Sequence, residues 1–397
     1  MKKALIVTNT ASMVHLFNGV SMELLLHAGY EVHIACNFYS GNTVSQAAIE
    51  EYKKQWDKKG IVSHHIGFLR SPFSLKSFSI YRQIRKLLRE NHFDLIHCHT
   101  PIVSILTRLA AMKQRREGKT KVIYTAHGFH FYDGCPKKNW ILYYTAEKLF
   151  ALFTDTLITI NHEDYERALA HLHAKQVIQV NGVGIDTEQI ALTQCDRGGI
   201  RAALGIPENA VVLMSVGELN NNKNHIKVIE ALHQCKNKKL HYVICGIGYT
   251  REKLMAAAEA FGLSGRLHLL GFREDVLSIL KASDIFVFPS IREGLSVALM
   301  EAMALGMPVI ASKIRGNVDL IREFDGGFLC DRCDAECFAK AIDVLAAEGG
   351  LRQRMGTFNK SVIKKYDKKI VCRQLSKILL DADEPAVCSY EVMRVEV

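Results

Sequence analysis

Short apolar, β-branched runs alternate with longer mixed stretches along the whole chain. Ala4 to Val7 is followed by a polar loop, Thr8 to Ser12, then a helical-looking stretch from Phe17 to His27, then Gly29 and a second apolar run, Glu31 to Cys36. That order predicts strand, helix, strand. Leu95 to Cys98, Val122 to Tyr124, Thr156 to Ile160 and Val177 to Val180 continue the series, most with enough chain between them for a covering helix. Such alternation predicts a parallel sheet covered on both faces. The pattern restarts after a linker from about Ile185 to Pro207, with runs at Val211 to Val216, Tyr242 to Cys245, Leu267 to Leu270, Ile285 to Phe288 and Val309 to Ala311. The expected fold is therefore α/β: two Rossmann-like domains, 1–188 and 189–380, with parallel sheets facing across a cleft, and a polar tail, 381–397. In sheets of this kind ligands bind beyond the carboxyl ends of the strands, so chemistry is sought in the loops that follow them.

Composition agrees with two cores. The chain has 397 residues, 48% hydrophobic and 23% charged, with only 7 prolines; at roughly 100–200 residues per domain this supports two globular domains and excludes a disordered or collagen-like chain. The net charge is +10, with most of the excess before residue 190. A basic surplus favours an anionic partner without choosing among phosphate ligands, an anionic lipid surface and nucleic acid. No interleaved aromatic and basic platform supports nucleic acid. Eleven cysteines, an odd number in a chain too long to need staples, suggest reduced thiols and a cytoplasmic setting. Met1-Lys2-Lys3 precedes an apolar run, but Thr8 to Thr10 end it too early for a signal-peptide core. No apolar stretch approaches the length of a spanning helix.

The densest chemistry lies at Pro289-Ser290-Ile291-Arg292-Glu293-Gly294-Leu295-Ser296, which leads into a helix-forming run ended by Gly306-Met307-Pro308. A loop that opens a helix offers free backbone N–H groups and the positive end of a dipole, which suits a phosphate. Glu293 and Glu301 would lie about 12 Å apart along a helix axis, too far to share a proton. They would serve different parts of one extended ligand, Glu301 accepting from a ribose diol and Glu293 reaching a sugar. The plain alternative is a surface helix with ordinary glutamates. Lys223, in the polar loop Asn220 to His225, can neutralise a diphosphate as a point charge; otherwise it is a solvated loop lysine. Tyr124-Thr125-Ala126-His127-Gly128-Phe129-His130 ends another strand, and its glycine permits close approach to a ligand.

The context Pro-Ser-x-x-Glu-Gly-Leu, then Glu301-Ala-Met-Ala-x-Gly-x-Pro-Val-Ile-Ala, resembles the Glu-x7-Glu signature of the retaining glycosyltransferases of family 4, which have the GT-B architecture. Gly246-Ile247-Gly248, Gly271-Phe272, Ala282-Ser283-Asp284 and Asn181 to Asp186 extend the likeness over nearly the whole chain. The resemblance implies transfer of a hexose or N-acetylhexosamine from a nucleotide diphosphate sugar, UDP foremost, to a glycan or polyprenyl-diphosphate-linked acceptor in surface polysaccharide synthesis. It implies no cofactor and no metal. His127, Glu293 and Lys223 would be catalytic. Glu301, Gly294, Leu295, Ser296, Gly217, Gly246, Phe272, Arg273 and Asn9 would bind substrate. Where the family usually carries an arginine after Gly217, this chain has Glu218, so Arg292 or Arg273 is a candidate replacement. Asn9-Thr10-Ala11-Ser12 stands where many relatives have a paired-glycine loop. His99 and His130 are weaker candidates, structural or on the acceptor side.

Two cysteine-containing strings invite a metal reading. His97-Cys98-His99 alternates along a strand, with both histidines on one face. Cys330, Cys333 and Cys337 lack a second pair at zinc-site spacing. Neither is expected to bind metal. The stretch Arg70 to Arg89 carries Arg82, Arg85, Lys86 and Arg89 opposite Phe78, Tyr81, Ile84 and Leu88, a basic amphipathic helix suited to an anionic membrane surface or to packing with a solvated basic side. Trp140 to Tyr144 could add an aromatic contact, or pack internally. Two rivals share the architecture: a nucleotide-sugar 2-epimerase, which would convert UDP-N-acetylglucosamine without an acceptor, and a non-catalytic sugar-binding protein.

Overall fold

The structure is a computed structural model and describes residues 1–69 and 76–382. Its thirteen strands are β1 (Lys3–Thr10), β2 (Glu31–Asn37), β3 (Val62–His65), β4 (Leu95–His99), β5 (Lys121–Ala126), β6 (Thr156–Thr159), β7 (Gln176–Gln179), β8 (Val211–Val216), β9 (Leu240–Cys245), β10 (Leu267–Gly271), β11 (Ile285–Phe288), β12 (Val309–Ser312) and β13 (Gly327–Cys330). They form two sheets, ordered β3-β2-β1-β4-β5-β6-β7 and β10-β9-β8-β11-β12-β13. Both are parallel throughout, as in β1, where Leu5 pairs with His33 on one side and Ile96 on the other. Each strand order reverses beside the strand that opens its unit, β1 or β8, which is where a doubly wound sheet leaves a crevice for ligands.

The inner strands are apolar on both faces because helices cover both. In the first unit one core gathers Ile6, Ile34 and Leu25, and a second on the other side gathers Leu5, Val7, Ile96 and Val122. In the second unit Met214, Phe286 and Met300 fill one side and Leu213, Val287 and Ile342 the other. The runs read from the sequence correspond to strands, β8 and β11 to the residue. Two strands carried no such run. β3 reads Val-Ser-His-His on the sheet edge, and β13 is a four-residue segment opened by a glycine.

Three further expectations are corrected. The polar loop Thr8–Ser12 does not exist as such: β1 runs to Thr10 and a helix starts at Ala11, so Asn9 lies within a strand. The helix expected over Phe17 to His27 is two, Ala11–Phe17 and Gly19–His27, broken at Asn18. The sequence places 189–380 in the second domain, yet among the described residues the compact units are 1–184 with 368–382, and 185–367. The helix Lys368–Leu380 packs on Gly19–His27, and its Val371, Ile378 and Leu379 share a core with Leu24 and Ile34. Tertiary burial of that apolar stripe decides its membership.

Arg70 and residues 71–75 of the expected basic helix lie outside the described residues. The helix Lys76–Glu90 buries Ile80, Ile84, Leu87 and Leu88, but Phe78 is 66% exposed, on the basic side instead of the apolar one. The Arg82 guanidinium lies over its ring. Trp140, Tyr143 and Tyr144 pack inward against Phe131 and its neighbours. Cys330 and Cys337 are joined as a disulfide, which departs from the expected set of reduced thiols; Cys36, Cys98, Cys135, Cys195, Cys235, Cys245 and Cys333 are free. Among the described residues no helix is long and apolar enough to cross a membrane.

Candidate active site

In the second unit the loops at the carboxyl ends of β8, β9 and β11 are locked together by backbone contacts. Gly217 follows β8 with φ 151°, and a Cβ placed there would stand 2.9 Å from Cε of Lys223. Absence of a side chain is what lets Lys223 fold back against the strand end. A Cβ on Gly246 would meet the Gly217 carbonyl oxygen at 1.9 Å, so the chain after β9 is pressed onto the chain after β8. Gly246 N–H donates to the Gly271 carbonyl, tying in the end of β10 as well.

Lys223 is held at both ends. Its backbone N–H donates to Asn220 Oδ1 at 2.9 Å, and its ammonium donates to Glu293 Oε1 at 2.8 Å while lying 4.8 Å from the centre of the Phe288 ring. Two residues that the motif reading left unassigned hold the loop bearing Glu293. Ile291 N–H donates to the Asn222 carbonyl and Asn222 Nδ2 donates to the Arg292 carbonyl at 2.9 Å. Asn224, at φ 54°, donates from Nδ2 to the carbonyls of Pro289 and Arg332. A third unassigned residue, the buried Arg315 after β12, donates from Nε to the Glu293 carbonyl at 3.1 Å. The asparagine-rich run was visible in the sequence; nothing there marked Arg315.

Gly294 is overlain by Gly316, whose Cβ, were there one, would stand 2.1 Å from the Gly294 oxygen. Leu295 is half-buried against the core. Ser296 caps the helix Val297–Ala304, its hydroxyl accepting from Leu299 N–H at 3.3 Å. A side-chain cap satisfies one of the orphan donors of the first turn. Glu301 lies half-exposed on that helix. The structure thus brings Lys223, Glu293, Gly217 and Gly246 into one cluster, with Gly294 to Ser296 directly following.

Arg273 is bound to its neighbour Asp275 through two contacts of 2.8 and 2.7 Å, both side chains well exposed. Glu218 is exposed and Arg292 half-buried. Phe272, Ile247 and Tyr249, after β9 and β10, expose large apolar surfaces. Below them, His225 is buried and hydrogen-bonded through Nδ1 to the Tyr242 hydroxyl, and burial pushes its pKa down to about 4.

The histidines belong to the first unit, at the carboxyl ends of β4 and β5. His127 Nε2 lies 3.0 Å from His99 Nδ1, and His99 Nε2 lies 2.6 Å from Asn18 Nδ2. His97 Nε2 meets the Thr125 hydroxyl at 2.8 Å, and its ring centre is 4.2 Å from that of His99. Desolvation favours the neutral form of all three: the pKa of buried His97 falls to about 3, that of half-buried His127 to about 4, and that of buried His99 well below its ordinary value. Phe17 packs 5.4 Å from the His127 ring. Asn9 is buried, and its Oδ1 has no hydrogen-bond partner. His130 is engaged with Tyr143, ring to ring.

Two Rossmann-like units with parallel sheets define the GT-B architecture of glycosyltransferases. Residues 196–362 match the family Glycosyl transferases group 1, and residues 22–189 match Glycosyltransferase Family 4. The chain is 35% identical to EpsD of Bacillus subtilis over 88% of its own length and 89% of that protein's. It is 34% identical to the UDP-Gal:alpha-D-GlcNAc-diphosphoundecaprenol alpha-1,3-galactosyltransferase of Escherichia coli, over 68% of this chain and 70% of that one. The crystal structure of Anabaena HepE in complex with UDP and glucose superposes with a TM-score of 0.77 at 18% identity, covering 96% of this chain and 100% of HepE. The chain belongs to the family 4 glycosyltransferases, which sets the epimerase and the non-catalytic reading aside.

Proposed function

We propose that this protein is a retaining glycosyltransferase that moves a hexose or N-acetylhexosamine from a UDP-sugar to a glycan or polyprenyl-diphosphate-linked acceptor during construction of a surface polysaccharide. The observation that carries the donor side is the Lys223–Glu293 pair, set between two glycine-lined strand ends and beside a capped helix start. An incoming diphosphate competes with Glu293 for the Lys223 ammonium, and the freed carboxylate turns to hydroxyls of the sugar. Lys223 and the N–H groups of Gly294 to Ser296 then meet the charge that grows on the leaving phosphate, which lowers the barrier most where water is excluded. Glu301 accepts from the ribose, Phe272 flanks the nucleotide, and His127 orients the sugar. Asn9 lines the acceptor side. Attack and departure on one face of the sugar, with the leaving phosphate taking the acceptor's proton, retain configuration and need no protein nucleophile.

The donor and acceptor classes are supported by the relatives. The E. coli galactosyltransferase is named for UDP-Gal and a diphosphoundecaprenol acceptor, and HepE was crystallised with UDP and glucose. A lipid-linked acceptor would bring the protein to an anionic membrane surface, with the basic side of the helix Lys76–Glu90 against it, on the cytoplasmic side. Thermal stabilisation by a panel of nucleotide sugars tests the donor, with UDP-sugars expected to bind. Lys223→Ala should weaken UDP-sugar binding about 10- to 100-fold, the worth of a hydrogen bond to a charged group. Glu301→Gln should weaken it less, and His127→Ala should slow transfer while leaving binding intact. Unchanged binding in Lys223→Ala would remove the donor assignment.

A further inference from the structure

The nitrogen at the far end of the chain Asn18, His99, His127 is the one that matters. Asn18 sits at the break between two helices, 1% exposed, its N–H donating to Val14 and its carbonyl accepting from Met22, so its side chain projects from a fixed backbone. Its amide nitrogen points at His99 Nε2. An amide nitrogen only donates, so with the Asn18 amide turned this way, its buried Oδ1 left without a partner, His99 Nε2 is the bare nitrogen of that ring. A neutral imidazole carries one proton, which places it on His99 Nδ1, 3.0 Å from His127 Nε2. His127 Nε2 must in turn accept, and the remaining proton of His127 sits on Nδ1. Among the described residues no hydrogen bond occupies that Nδ1.

We propose that Asn18 is a positioning residue which, acting through His99, holds the His127 ring as its Nδ1–H tautomer and so presents a hydrogen-bond donor, not an acceptor, to a sugar hydroxyl oxygen. The donor role toward a sugar rests on the function proposed above; the tautomer does not. Each imidazole passes the hydrogen-bond polarity on unchanged, so reversing it at Asn18 reverses it at His127. The ring is fixed before substrate arrives, at no reorganisation cost in the reaction. Desolvation favours the neutral form of all three rings, of which His97 and His99 are buried and His127 half-buried. This differs from a general-base arrangement, where a carboxylate partner would favour a cationic ring.

Nitrogen-15 NMR of the full-length protein, labelled at histidine and assigned by the signal lost in His127→Gln, reads the tautomer directly. The wild-type protein should show a protonated Nδ1 and a bare Nε2 on His127. A protonated Nε2 on that ring overturns the proposal without any variant having to fold. In Asn18→Asp, measured at pH 8, the carboxylate accepts from His99 and the His127 tautomer should invert; kcat should fall at least about tenfold, since a wrong tautomer in a catalytic imidazole is costly, while the affinity for UDP stays within a factor of about two. An unchanged tautomer in Asn18→Asp also overturns the proposal. If the tautomer inverts in Asn18→Asp but the wild-type protein itself transfers no sugar, the proposed activity fails and the relay stands.

Discussion

At the scale of single residues, one ion pair is almost wholly buried. Arg108 and Glu147 are 1% and 3% exposed and joined at 2.9 Å, and the Tyr124 hydroxyl donates to the other carboxylate oxygen at 2.9 Å. The guanidinium also lies 4.3 Å over the Tyr124 ring, and burial holds that phenol well above its usual range. Removing one partner strands the other charge in the core. Arg108→Met should therefore cost about 3–5 kcal/mol, or roughly 10 °C of thermal midpoint for a unit of this size. The double variant Arg108→Met, Glu147→Met should recover much of that loss; equal losses in both would show that packing, not the stranded carboxylate, dominates. None of this was legible in the sequence, where the two residues lie far apart on different helices. Lys223 and Glu293 were legible one by one, since each follows a strand and carries the right charge. Their bond was not, because it depends on Gly217 and Gly246 bringing the strand ends together.

Elements were legible where their cores are. β11, and β8 but for Ser215, are apolar throughout because helices bury them on both sides, and the sequence marks both to the residue. β3, an edge strand of mixed polarity, has no such signature, and no local pattern marks the break at Asn18, whose side chain reaches His99 at the end of β4. The helix Lys76–Glu90 shows how a pattern can mislead by one position. Phe78 stands out on the side with Lys76, Arg82, Arg85, Lys86 and Arg89, so the exposed surface of this helix joins cations to one aromatic ring. Interfacial helices use that combination. Flotation with vesicles containing anionic lipid should carry the protein upward, and Arg82→Glu with Arg85→Glu should reduce the bound fraction at least tenfold, at about 1 kcal/mol per basic residue near the surface. Equal binding by this variant would detach the helix from any membrane role.

On the scale of the whole molecule, four desolvated histidines make stability depend on pH. Free histidine titrates near 6.5, whereas His97 is held at about 3, His127 and His225 at about 4, and His99 well down. Below pH 6.5 the unfolded chain takes up protons that the folded chain refuses. Stability is therefore complete above 6.5 and is lost as pH falls toward 4, at up to about 1.4 kcal/mol per pH unit for each such histidine. Three of these four belong to the first unit, as do both tryptophans, Trp56 and Trp140. Thermal unfolding followed by tryptophan fluorescence should show a midpoint that drops steeply between pH 6.5 and 5. A flat profile would mean that these rings are already charged in the folded protein.

The helix Lys368–Leu380 completes a core begun by Gly19–His27 at the other end of the chain. During translation the amino-terminal half thus leaves the ribosome lacking its last wall, with Leu24 and Leu25 short of their cover until the carboxyl-terminal half has been made. The nascent protein thus depends on the turns of Lys368–Leu380 to shield the sticky surface of a part made much earlier.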